Sequence, residues 1–198
     1  MPKPTLIPDE ILTAEFEYAA NCAFQANEDR SKAASFFLVS VGSLVAAIFG
    51  TQAEGIGADV HFLLAGLFLV LTILGGLTVA QLARLRAAWH ESALAMNTIK
   101  EYYAARFDSI ELERALRWTN KSLPPVYKAD SISFLMVTEV ALLGGLTFGA
   151  SVFFFLQGIE QPHWQEPVTA LAAVLGIGAQ FFWYSRLLKR LKKKEKMS

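Results

Sequence analysis

One carboxylate in this chain stands where a carboxylate is costly. Glu139 lies within SFLMVTEVALLGGLTFGASVFFFL, residues 133–156, about seven residues and roughly 10 Å from the start of an apolar block. Hydrocarbon disfavours the ionised form, so such a group has to face a bundle interior, line water, or hold a proton. Counting to similar depths in three other apolar blocks brings Ser40, Thr78 and Gln180 level with it, and Thr138 precedes it. Ser40, Thr78, Thr138, Glu139 and Gln180 therefore make a candidate intramembrane polar layer. Two kinds of chemistry suit such a layer: a path for ions or protons, or hydrogen bonds that tie helices together. Spacing alone does not choose between them.

Little else in the chain could do chemistry. Three histidines and one cysteine leave no multi-cysteine zinc or iron–sulfur site and no internal disulfide. His61 and His163 lie beside short acidic connections and could bind a metal or sense pH, although a plain interfacial role is simpler. His90 follows Trp89 with no second His or Cys at ligand spacing. Arg86 and His90 are four apart rather than five, which departs from an RxxxxH nuclease pattern. Cys22 has no nearby His and reads as a small packing residue. No GxSxG, P-loop, HExxH or GxGxxG occurs, and the GIG at 176–178 falls inside an apolar block. No catalytic, cofactor-binding or metal site is expected, and an enzyme is the weakest of the functional readings.

The elements that must position the layer follow from hydropathy. The chain has 198 residues, 54% hydrophobic and only 18% charged, with a mean hydropathy of +0.36. Crossing about 30 Å of hydrocarbon takes roughly 17–25 helical residues. Residues 33–50, 61–82, 132–156 and 168–188 meet that length and are apolar on every face, unlike the helices of a soluble core. The sequence predicts an all-α integral membrane protein with four transmembrane helices. The residues before Ala33 are polar and partly acidic, so no cleaved leader is expected.

Eighteen Lys and Arg balance eighteen Asp and Glu, which argues against a nucleic-acid partner. The even balance hides a strong polarity. Every Lys and Arg falls before residue 33, between residues 83 and 131, or after residue 185. The connections 51–60 and 157–167 carry only the acids Glu54, Asp59, Glu160 and Glu166. The positive-inside rule then puts both termini and residues 83–131 in the cytoplasm, as in a multi-pass protein of a bacterial inner membrane.

The cytoplasmic parts also look helical. Pro8 suits a first turn, with Asp9 and Glu10 placed where the helix dipole favours anions. Leu12, Phe16, Ala19, Ala23 and Ala26 recur at spacings of three and four, and nothing breaks the helix before residue 50. Leu82, Leu85, Trp89, Ser92, Met96, Ile99 and Tyr103 repeat the pattern after the second span. Helices one and two should thus extend as a coiled-coil-like cytoplasmic hairpin, the stripes serving packing within or between copies. A short helix at 109–119 precedes the stiff break Leu123-Pro124-Pro125. The tail, 189–198, is basic and suits anionic headgroups, or less simply a protein partner. Gly42, Ala46 and Gly50 form a small-residue ridge on helix one, and Gly145 and Gly149 form another on helix three.

The helix containing EFEYAANCAFQANEDRSK, the tight hairpin and the long returning helix resemble, over residues 9–107, the bacterial SLATT-type membrane domains. Helices three and four depart from the simplest two-helix form of that group. The resemblance implies a membrane effector in bacterial conflict and defence systems, with pore formation as one mode. Two functions follow as expectations. In the first, copies of the chain self-associate into a pore, because four helices alone cannot enclose a wide aqueous path. In the second, a non-conducting adaptor docks a cytoplasmic protein through the helical hairpin. Neither requires a cofactor; both require the lipid bilayer.

Overall fold

The computed structural model of the chain describes residues 8–50, 57–107, 118–160 and 163–195. Among these residues there is helix and connecting loop, with no strand. Helix α1 spans Pro8–Gly50, α2 spans Ala58–Phe107, α3 spans Ile132–Gly158 and α4 spans Gln165–Glu195. Each of the four contains a stretch long and apolar enough to cross a membrane, as a multi-pass membrane protein requires. α3 begins and ends within two residues of the apolar block at 132–156, while α4 starts three residues before the block at 168–188 and runs seven residues past it. The first two run on through polar sequence without a break. The helix expected at 109–119 lies almost wholly outside the described residues, and Trp118 and Thr119, which are described, are not helical.

The chain folds as two compact units. The first comprises the residues up to Asp29 together with Leu85–Lys128. In it α1 buries Ala19, Ala23 and Ala26, with Leu12 and Phe16 half-buried above them. On α2 the buried positions are Ala87, Ala93, Asn97 and Ala104, together with Arg86. The large residues Leu85, Trp89, Met96, Ile99 and Tyr103 are only half-buried. The packed seam is thus a line of small residues, and the bulky stripe expected from the sequence runs beside it. Alanines let two backbones approach, while long side chains lean over the preceding turn and flank the contact. Three contacts join the polar parts of α1 and α2. Asp9 meets Arg106 at 3.2 Å, Tyr103 donates to Asp9 at 3.5 Å, and the Lys100 ammonium sits 5.7 Å over the Phe16 ring.

A buried guanidinium fastens the loop that follows. Arg86 donates to the carbonyls of Val126 at 3.1 Å and Pro125 at 3.2 Å and lies 4.6 Å over the Trp89 ring. Asn120 is held by both carboxylate oxygens of Glu101, at 2.7 and 2.9 Å. The two prolines limit the loop's conformations, and these bonds choose among them.

The second unit, Arg30–Arg84 with Ala129–Ser198, holds the four apolar stretches. Its exposure pattern is the reverse of a soluble bundle. The buried face of α3 is Ser133, Val137, Val140, Ala141, Gly144, Gly145, Thr147, Gly149 and Ser151. Meanwhile Leu135, Leu142, Leu146 and Phe155 point outward, as do Leu63, Val70, Ile73 and Leu77 on α2. Lipid is as apolar as leucine, so burying a large side chain gains little. Close packing and hydrogen bonds drive such helices together instead.

Candidate functional site

α3 is the helix on which the sequence placed its carboxylate, and its neighbours are set by small residues. A Cβ on Gly145 would stand 2.7 Å from the Ala173 carbonyl oxygen, and one on Gly149 would stand 2.9 Å from the Ala173 Cβ. This ridge therefore lies directly on α4. The Gln180 side chain of α4 rests against Gly144. On the other side, Gly75 of α2 lies against Gly144 and the Phe37 ring, where a Cβ would find the Phe37 Cζ at 2.9 Å. The ridge on α1 behaves differently: Gly42 and Ala46 are exposed, and no atom lies within 4 Å of a Cβ built on Gly42. Gly50 ends α1, and its surroundings lie outside the described residues.

Hydrogen bonds inside the unit join residues that hydropathy counting passed over. Ser151 donates to the Ala65 carbonyl at 2.8 Å, and the Thr72 and Thr147 hydroxyls meet at 3.1 Å. Arg30, 6% exposed, donates to the Ser133 hydroxyl. Extending the alanine stripe of α1 by four residues from Ala26 would have pointed to Arg30. For the Thr72–Thr147 pair the available signal was a hydroxyl beside glycines on each helix.

The five residues of the candidate layer are placed as follows. The hydroxyls of Ser40, Thr78 and Thr138 donate to carbonyls one turn back, those of Phe36, Leu74 and Phe134, at 2.8, 2.9 and 2.9 Å. Gln180 is 7% exposed, and its side-chain oxygen is buried without a hydrogen-bond partner. Glu139 is exposed. Among the described residues no hydrogen bond joins any two of the five. The structure thus brings Gln180 into the interior beside Gly144, turns the hydroxyls to their own backbone, and leaves the carboxylate on the outer face of α3.

That outer face has a regular composition. Ile132, Leu135, Glu139, Leu142 and Leu146 are all exposed, at spacings of three, four, three and four. Ile132 is 74% exposed and Leu146 58%. A 3–4 repeat of large apolar residues is the pattern of a helix–helix seam, here with a carboxylate at its centre. Among the described residues no helix of the unit covers it.

The remaining candidates are peripheral. His61 stacks with Phe154 at 6.3 Å, and His163 is exposed. Cys22 is free and half-buried. Among the described residues no three His, Cys, Asp or Glu side chains converge. A scan against protein-family models, a search of curated proteins and a search of solved structures each return no match to this chain.

Proposed function

We propose that copies of this chain associate in the membrane through the outer seam of α3, gathering Glu139 residues around a shared polar path that conducts ions. The observation that carries this reading is the exposed Glu139 at the centre of the Ile132–Leu135–Leu142–Leu146 stripe. A carboxylate facing lipid costs about 2.5 kcal/mol or more, and a second copy or enclosed water removes that contact. The seam's apolar residues supply the packing, and the carboxylates supply the polarity. The cation distribution supports cytoplasmic termini and a cytoplasmic 83–131 connection in a bacterial inner membrane. The layout of residues 9–107 suits a defence effector of the SLATT type.

The test pairs association with flux. In a Cys22→Ser background, Leu142→Cys should form disulfide-linked dimers in bilayers upon oxidation. Liposomes holding wild-type protein should conduct, and Glu139→Gln should alter the rate or the ion preference. Absence of both cross-linking and flux would sink the proposal.

A second reading, a non-conducting adaptor, is favoured by the exposed Tyr18 and Phe24 on the polar part of α1, 66% and 70% accessible. Under it, Tyr18→Ala with Phe24→Ala would abolish the cellular phenotype, while Glu139→Gln would leave it unchanged.

A further inference from the structure

We infer that the second unit binds one anionic phospholipid, with an acyl chain in a slot between α2 and α4 and its phosphate on Arg186 and Arg190. The slot has a volume of about 300 Å³, with Gly76, Leu77 and Ala80 on one wall and Ala179 and Trp183 on the other. That volume is at the low end of the range for small-molecule sites, roughly 300–1,000 Å³. Its walls are apolar, because Gln180, which also borders it, turns its amide against Gly144. The small residues open the space: no atom lies within 4 Å of a Cβ built on Gly76.

What distinguishes this slot from an ordinary apolar groove is where it leads. Trp183 also borders a second cleft of about 300 Å³, which it shares with Phe182, Arg186 and Arg190. Arg186 lies 6.0 Å over the Phe182 ring. Arg186 and Arg190 are exposed and one helical turn apart. From slot to cleft the surface therefore passes from apolar walls to an indole and then to two exposed cations. A phospholipid has the same order: acyl chain, interfacial ester region, phosphate. Indole rings favour that boundary, and guanidinium groups bind phosphate through paired N–H donors. An apolar helix of a second copy would fill the slot but would bring no anion to the two guanidinium groups.

The inference needs the apolar stretches to lie in a bilayer but does not depend on conduction or on the α3 seam. Its test is native mass spectrometry of the full chain released from detergent with phosphatidylglycerol or phosphatidylcholine added. Wild-type protein should retain one phosphatidylglycerol about tenfold more readily than phosphatidylcholine, as two cations near a headgroup favour. Arg186→Gln with Arg190→Gln should erase that preference. Gly76→Leu should lower retention of both lipids, and Ala179→Leu, filling the slot from the opposite wall, should do the same. Glu139→Gln should leave retention as in wild type. Equal retention by every variant would overturn the inference, as would slot-filling variants that lose self-association but keep their lipid.

Discussion

Glu139 shows how one residue's meaning depends on what covers it. Glu139 is exposed and makes no hydrogen bond or ion pair among the described residues, so Glu139→Gln should shift the thermal stability of detergent-solubilised monomer by less than about 0.5 kcal/mol. A larger loss in a melting experiment would mean that the carboxylate is structural within the single chain. The glycines invite a sharper comparison. Gly145→Ala drives a methyl group into the Ala173 carbonyl, and the helices have to separate. A loss of about 1–3 kcal/mol is expected. Gly42→Ala meets open space in a helix and should gain roughly 0.5–1 kcal/mol from reduced chain entropy. Melting curves of the two variants should move in opposite directions.

At the scale of elements, the seam between the polar parts of α1 and α2 rests on small side chains, and its ionic contacts are secondary. Asp9 and Arg106 are 54% and 51% exposed, so their pair is screened and contributes little. Asp9→Asn should accordingly leave the melting temperature nearly unchanged. It should, however, change how Tyr103 titrates. Burial, then the nearby Asp9 charge, push the Tyr103 phenol above its usual value of about 10. The folded chain thus holds that proton more tightly than the unfolded chain. This contribution to stability is complete below pH of about 10 and is lost as pH rises through the raised folded value. The phenolate absorbance that Tyr103→Phe removes should appear at lower pH in Asp9→Asn than in wild type. An unmoved titration would show that burial alone sets it. Arg86 plays a different part: two hydrogen bonds on a planar guanidinium give the Pro124–Val126 loop a definite path, which a lysine could not reproduce.

For the whole molecule, the decisive property is the separation of its charges along the chain. Cysteines introduced at Lys128 and Lys189, in a Cys22→Ser background, should react with an impermeant maleimide only from the cytoplasmic side. A cysteine at His163 should react only from the opposite side. Labelling of all three from one side would contradict the assigned orientation. Lipid enters the two proposals differently: hydrocarbon would cover the outward leucines of the second unit, and a phosphate would meet the arginines beyond Trp183.

The presence of four long apolar helices is legible in the sequence, because hydrocarbon thickness imposes a run length that composition either meets or fails. The continuity of α1 and α2 is legible too, since no glycine or proline interrupts residues 9–41 or 77–107 on both sides of a helix turn. Side-chain direction is not. Depth along a helix is one-dimensional and can be counted, but facing is an angle that only the neighbouring helices fix. Counting placed Ser40, Thr78, Thr138, Glu139 and Gln180 at one level; packing turned Gln180 inward, closed the hydroxyls on their own backbones and left Glu139 outside. The same limit hid Arg30, Arg86 and the slot beside Gly76. A helix that is apolar all round carries no periodicity from which its inner face can be read. In such a helix the close approach of glycine to a neighbouring backbone decides the rotation, and that contact exists only in the folded bundle.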